Sequence, residues 1–416
     1  MKNKLSAQHK SAVAQALLLV LAVFLSAVSA HAGEKVIFQF NGNQGVNPST
    51  GLISDTAGNF YGTISGGIGN CFNVYELSPG SSGTYTETIL YTFQNCNSTA
   101  LYPVGGLSID NNGNLYGAEA TDLNDGSGQI YELAKGTNGS WIYSVIHTFG
   151  SKDGSPYGDL AWDAAGNLYG ATQSPFTTSN GEVFKLSPQP DGSWKEGVLY
   201  KFPSPNGVGS PSGSVVLDSQ GNLYGATYLG YGGDGSNTRG GVYELSPQSG
   251  TWKLTLLYNF TTASASQFPN SRLTLDSSGN LYGTTQGGKA LYGTVYEVSP
   301  ASGGTWTEQT LHTFTAGNND GGYTNGNLVF DASGNLYGAT YNGGSGCNAN
   351  LCGVVYKLTP QSGGGYKESI AHTFESASDG SQPYSGLFLD SSGNLYGTTY
   401  HGGSRYGYGT VYEITP

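Results

Sequence analysis

Positive charge is scarce in this chain: 16 Lys and Arg stand against 28 Asp and Glu in 416 residues. Lys2, Lys4 and Lys10 fall within the first 32 positions, which leaves 13 basic against 28 acidic residues in the rest. Nucleic-acid binding relies on Lys and Arg neutralising phosphate, so this balance argues against nucleic acid as a partner. An acidic surface by itself serves solubility and names no ligand. Methionine occurs once, and no segment beyond residue 32 sustains the 3.6-residue apolar period of a packed helix. None there is apolar over the roughly 17 residues a membrane-spanning helix needs. Histidine is thinly spread. His147, His312 and His372 share one strand position in different repeats, and His401 is the one loop histidine after residue 32. Such a set does not build the clusters of metal catalysis, and neither metal nor cofactor is expected.

What is abundant is glycine, with 67 residues, and tyrosine, with 30. Much of both belongs to one phrase: an Asp, two small or polar residues, Gly-Asn, an apolar residue and Tyr-Gly. It begins at Asp55, Asp110, Asp163, Asp218, Asp276, Asp331 and Asp390. The tyrosines, from Tyr61 to Tyr396, follow one another at intervals of 55, 53, 55, 58, 55 and 59 residues. A nearly fixed period of this size marks a repeat architecture.

Each repeat reads as four strands. A short apolar strand A precedes the Asp, as in Gly106-Leu107-Ser108-Ile109. Asp-x-x-Gly makes a tight hairpin, because Asp bonds the backbone two residues on and Gly supplies the left-handed conformation. Strand B starts at the Asn. Strand C follows a Gly-rich loop, as in Val74-Tyr75-Glu76-Leu77-Ser78-Pro79, and ends at the proline, which cannot donate to a ladder. Strand D is aromatic and β-branched, as in Trp252 to Phe260. The last repeat stops after its strand C at Pro416, while Val36 to Phe40 aligns with strand D of the others. An N-terminal strand that completes the last sheet closes a ring. The chain is therefore expected to be all-β, a seven-bladed β-propeller of four-stranded blades. A ring in which each blade packs on its neighbours also lets residues 33–416 form one domain beyond the usual size of a single core.

Residues 1–32 read as a secretory signal peptide, with the three lysines, the apolar run Ala16 to Leu25, and Ala30-His31-Ala32 as a small-x-small cleavage site. This places the protein in the periplasm or outside the cell. The four cysteines form two local pairs, Cys71 with Cys96 and Cys347 with Cys352. In an exported chain such pairs are expected to be disulfides.

Segments such as Asp331-Ala332-Ser333-Gly334-Asn335-Leu336-Tyr337-Gly338, followed by Gly353-Val354-Val355-Tyr356-Lys357-Leu358-Thr359-Pro360, resemble the GloVer tandem repeat of exported bacterial proteins. The resemblance covers essentially the whole chain after residue 32. It implies the repeat fold and export and carries no catalytic residue across. Members often bear a C-terminal surface anchor, and none follows Pro416 here.

The repeated Asp55 and its equivalents read as turn formers, and the strand C acids, replaced by Lys185 and Lys357 in two repeats, as solvated positions. The loops that vary, from D to A and from B to C, emerge on one face. There Asp153, Asp320 and Asp379 each precede Gly, and Asp320 and Asp379, leading into adjacent blades, are candidates for a carboxylate pair at the channel mouth, as glycoside cleavage requires. The same residues also suit plain turns. Tyr102, Tyr157, Phe268, Tyr323 and Tyr384, with His401, form a candidate rim for stacking sugars or a partner protein. The leading reading is a monomeric, non-catalytic propeller that binds a glycan, polymer or protein through this face. A lyase or glycoside hydrolase is the alternative, since antibiotic-cleaving lyases also resemble the chain in these turns. A structural or adhesive envelope protein is the third.

Overall fold

The computed structural model describes residues 33–42, 45–65, 71–94, 101–120, 127–150, 152–173, 181–203, 210–228, 238–261, 264–287, 291–324, 326–345, 352–376, 378–403 and 407–416. They form seven antiparallel sheets, the blades of the expected propeller. Blades one to seven carry as their strand B, in order, Phe60–Ser65, Leu115–Ala120, Leu168–Gln173, Leu223–Thr227, Leu281–Gly287, Leu336–Gly343 and Leu395–His401. Strand D is outermost: Tyr85–Thr92, Trp141–Phe149, Trp194–Lys201, Thr251–Thr261, Trp306–Thr313, Tyr366–Thr373 and, for the seventh blade, Gly33–Gln39. Strand A, innermost, departs from the expected simple strand. In blades one, three, five, six and seven it breaks into two short pieces, as in Val46–Pro48 and Ile53–Ser54.

Turn chemistry fixes the hairpin between strands A and B. Asp55 Oδ1 accepts the Ala57 and Asn59 amides at 2.9 and 3.0 Å, and Oδ2 accepts Asn59 Nδ2 and the Tyr61 hydroxyl, both at 2.9 Å. The pattern recurs at all seven copies, with Asp390 the last. The turn glycine has φ of 82° at Gly58 and 89° at Gly393, a region other residues rarely adopt. Asp55 thus serves structure, as its repetition implied. The glycine of Tyr-Gly answers a different need: a Cβ on Gly397 would lie 2.3 Å from the hydroxyl of Tyr412, the fully buried tyrosine of strand C. In blade three, Phe184 fills that place against Gly170, so the ring rather than the hydroxyl is what the position requires.

The ring closes as expected. Gly33–Gln39 pairs antiparallel with Thr410–Thr415, from Gly33 opposite Thr415 to Gln39 opposite Thr410, with a bulge between Val36 and Phe38. Ile37 and Phe40 then pack into one cluster with Phe60 and Tyr75 of blade one and Tyr396 and Val411 of blade seven. Each of the other clusters likewise joins adjacent blades, as Tyr412 and Ile414 pack with Tyr337 and Phe374.

The seams between outer strands half-bury acids. Glu34, Glu87, Glu196, Glu308 and Glu368 take one register position on strand D, opposite Ile414, Leu77, Leu186, Val298 and Leu358. Burial pushes Glu87 up to about 7, and it does the same to Glu182 against the opposing pull of Lys201. Glu34, Glu119 and Glu368 are raised by burial as well. A carboxyl raised in the folded state binds its proton more tightly there than in the unfolded chain. Its contribution is present in full below the unfolded value of about 4.3 and is lost as pH rises toward 7. Carboxylates held low, such as Asp163 and Asp331, where hydrogen bonds outweigh burial, act oppositely and only below about pH 4. The melting midpoint is therefore expected to be a few degrees higher at pH 5 than at pH 7.5. A scanning-fluorimetry profile that stays level or rises over that interval would contradict this reading of the seams.

Candidate ligand site at the channel mouth

The residue just before the apolar core residue of each strand A occupies one slot of the repeat on the innermost strand of its blade. In blade order these are Gly51, Gly106, Asp159, Ser214, Arg272, Asn327 and Gly386. Contacts between blades place them against one another. Asp159 Oδ1 accepts the Gly106 amide at 2.6 Å, and Ser214 Oγ accepts the Asp159 amide at 2.9 Å. Arg272 Nη1 lies 3.8 Å from Asp159 Oδ2, which joins blades five and three past blade four. Asn327 leans over Gly386, where a Cβ would fall 1.4 Å from its Oδ1. Glycine thus lines one side of the axis, and Asp159, Ser214, Arg272 and Asn327 form a polar arc on the other. The Asp159 and Arg272 side chains remain 31% and 38% exposed, so both heads are open to a ligand.

Because strand A runs from the loop face inward, the residues that precede this slot lie toward that face, Tyr157 on the polar side and Tyr384 on the glycine side. Tyr157 precedes Asp159 by two residues and Tyr384 precedes Gly386 by two. Burial, then the proximity of Tyr384 and Tyr102, raises the Tyr157 hydroxyl pKa, so phenols of blades seven and two lie near that of blade three. The rings of Tyr157 and Tyr384 are nevertheless 41% and 42% exposed. Tyr384 also meets Tyr341 and Tyr400, both at 5.9 Å, and Tyr400 meets His401 edge-on at 4.7 Å. Burial lowers the His401 pKa, which keeps its imidazole neutral at pH 7.

The other aromatics of the rim pair off locally. Phe72 stacks on Tyr102 at 5.8 Å, Tyr228 lies 5.3 Å from Phe268, with the Arg239 guanidinium 5.5 Å from that ring, and Tyr292 meets Tyr323 at 5.5 Å. Phe268 and Tyr323 have φ of 60° and 59°, and Asn47 and Gln382 adopt 55° and 58° at the same place in their repeats. Three of these four precede proline, which by itself disfavours such backbone. Left-handed backbone at non-glycine residues costs about 1–3 kcal/mol each and concentrates at ligand-binding positions. The amide of Tyr323 donates to Tyr292 O at 2.7 Å, so the strain is held by the preceding blade's B–C loop.

The acids of the loop face are engaged elsewhere. Asp320 accepts His312 Nε2 at 3.0 Å, the Thr315 amide at 2.8 Å and hydroxyl at 2.7 Å, and the Gly321 amide at 2.7 Å. Burial raises its pKa, but the bonds from His312 and Thr315 outweigh burial and leave it lowered. Asp379 accepts His372 Nε2 and the Glu375 amide, both at 2.9 Å. Asp153 accepts the Gly150 amide at 3.1 Å and Lys201 Nζ at 3.2 Å. Instead of meeting as a pair at the channel mouth, Asp320 and Asp379 are each tied to the histidine of an outer strand. The three strand D histidines sit in three separate seams, with His147 3.4 Å from Glu196.

The sequence pointed to Tyr102, Tyr157, Phe268, Tyr323, Tyr384 and His401 on this face; beside them stand Tyr228, Tyr341 and Tyr400, each four residues after the motif tyrosine, which it did not single out. It also missed the polar arc, whose signal is departure from glycine at one slot of the repeat.

A family model described as the Gloeobacter/Verrucomicrobia repeat matches residues 25–234 and 155–412. No curated protein matches the chain. Among solved structures it is similar to the extracellular domain of the putative one component system BT4673 from B. thetaiotaomicron, at 15% identity and a TM-score of 0.52, over 92% of this chain and 40% of that one. The polysaccharide lyase Uly1 matches at 10% identity and a TM-score of 0.50, over 94% of this chain and 93% of that one. At such identities the likeness is one of fold. The chain spans 40% of the length of that extracellular-domain chain. Among the described residues no helix is long and apolar enough to cross a membrane.

Proposed function

The chain belongs to the Gloeobacter/Verrucomicrobia repeat family, and on that premise we propose that it is an exported, non-catalytic propeller that binds a glycan at its channel mouth. The observation that carries this reading is the proximity of Tyr384 and Tyr102 to Tyr157, which stands in the blade of Asp159, beside the polar arc that runs on through Ser214, Arg272 and Asn327. Exposed aromatic rings stack on the apolar faces of sugar rings, while planar carboxylate, amide and guanidinium groups take hydroxyls in fixed directions. The fold supplies both on a rigid frame, and the acidic balance of the chain disfavours polyanions. A glycan and polysaccharide array on the exported protein tests the reading: at least one saccharide is expected to bind. An array without a hit, and binding only to protein ligands, would overturn it.

One observation favours a second reading. A neutral imidazole at His401, beside Tyr400 and one ring removed from Tyr384, is suited to accept a proton. Product analysis of any array hit separates a lyase or hydrolase from a binding protein.

Export includes an expectation about redox state. Neither described cysteine, Cys71 or Cys352, is a free thiol, while Cys96 and Cys347 lie outside the described residues. The pairs Cys71 with Cys96 and Cys347 with Cys352 each close a short loop. The first is worth about 3 kcal/mol in the chain-entropy model. Non-reducing peptide mapping of exported protein is expected to recover both pairs; four alkylatable thiols would refute them.

A further inference from the structure

The seam between blades six and seven joins three elements: the N-terminal strand through Glu34, strand D of blade six through His372, and the loop into blade seven through Asp379. One ligand atom from each residue lies within 4.8 Å of the other two. We propose that Glu34, His372 and Asp379 form a site for one divalent transition cation of the zinc class, which rivets the N-terminal strand into the ring.

Three observations carry the assignment. The Glu34 carboxylate is placed at a cost: its Oε1 is shielded from solvent and meets no hydrogen-bond donor. An orphaned buried oxygen of this kind loses its hydration without compensation. Asp379 adds a second carboxylate that is 5% exposed. Across Glu34 the facing groups are His372 and Asp379, so a single imidazole balances two acids.

Two other seams of the same ring show what this one lacks. Between blades five and six the corresponding residues are His312, Asp320 and Glu368, but there Asp320 accepts three donors from Thr315 and Gly321 besides His312. Asp379 accepts one backbone amide besides its histidine. Between blades two and three they are His147, Asp153 and Glu196, and there the chain supplies a cation of its own. Lys201 Nζ lies 3.2 Å from Asp153 and 3.1 Å from Glu182. The register position of Lys201 is held in blade seven by Gln39, which brings no charge.

Donor chemistry selects the ion. One imidazole nitrogen with two carboxylate oxygens suits zinc and its neighbours, whereas calcium and magnesium prefer all-oxygen shells. Ligand atoms around tetrahedral zinc stand about 3.4 Å apart at bond lengths near 2.1 Å. The His372–Asp379 contact of 2.9 Å is already close to this, and rotation of the Glu34 side chain closes the rest. Zinc replaces the proton shared between His372 Nε2 and Asp379, and that proton passes to solvent. A fourth position is left to water.

The test uses exported protein without an affinity tag, stripped with EDTA and dialysed. Titration calorimetry with zinc chloride is expected to give one ion per chain, and zinc at a hundredfold excess over its dissociation constant is expected to raise the melting midpoint by a few degrees. Calcium and magnesium chloride are expected to have no such effect. Glu34→Gln is expected to weaken zinc binding at least tenfold, and Glu368→Gln, in the neighbouring seam, to leave it unchanged. The Glu34→Gln protein fills the same space, so its apo melting midpoint shows whether it folds. If it does not fold, His372→Gln takes its place. No stoichiometric zinc binding by the folded parent protein, or binding that survives Glu34→Gln or its substitute, would overturn the proposal.

Discussion

Removal of residues 33–41 is expected to lower the melting midpoint by roughly 10 °C or more and to drive the protein into aggregates. The segment is the whole outer strand of blade seven, paired along its length with Thr410–Thr415. Without it that strand presents a bare row of backbone donors and acceptors, the usual template for pairing between chains. The deletion also removes Ile37 and Phe40, 6% and 2% exposed, from the cluster that joins blade seven to blade one. Full burial of such side chains stabilises by about 1.5–3 kcal/mol each. Differential scanning calorimetry and size-exclusion chromatography of the truncated chain measure both consequences. A truncated chain that melts with the parent and elutes as one species would show that the ring does not depend on this closure.

Replacing Tyr157 or Tyr384 by Ala is expected to weaken saccharide binding about tenfold or more, with the melting midpoint kept within a few degrees. Central aromatic anchors at a binding surface commonly contribute more than about 1.4 kcal/mol, which corresponds to tenfold in affinity. Both rings are about two-fifths exposed and project from loops, so little core packing is lost with them. Tyr323, paired with Tyr292 on the rim, is expected to matter less. Asp320→Asn is expected to change affinity by less than about twofold, because Asp320 is tied to His312 of an outer strand and the single Asn oxygen can still accept the Thr315 amide and hydroxyl at the same turn. Equilibrium titration of one array hit into the four variants gives the ranking. Turnover of a substrate that vanishes with Asp320→Asn would reverse it and favour the hydrolase reading.

The repeat and its closure were legible because they are written locally. Gly58 and its equivalents answer a backbone requirement at one position, and Asp55 answers a hydrogen-bonding requirement four residues long. Counting strands from Val36 to Pro416 then determines where the termini meet. The site was less legible because its members meet through the closed ring. Asp159 and Arg272 are 113 positions apart and touch past an intervening blade, a distance no periodicity encodes. Tyr341 and Tyr400 were in phase with the motif, yet aromatics in phase with a β repeat ordinarily belong to its core. Asp320 and Asp379 attracted a catalytic reading because they precede adjacent blades. Their histidines, His312 and His372, lay in sequence only seven or eight residues away and hold them at the outer strands. The seam glutamates, Glu34 second and Glu87, Glu196, Glu308 and Glu368 third in their outer strands, look like ordinary solvent-facing strand residues until the next blade covers them.

The most direct test of the channel-mouth site is a crystal structure of the protein with the saccharide that the array identifies. The account predicts a sugar ring against the face of Tyr157 or Tyr384, with hydroxyls directed at Asp159, Arg272 or Asn327. A saccharide bound on the opposite face, among the Asp55-type turns, or along the outer strands would contradict it.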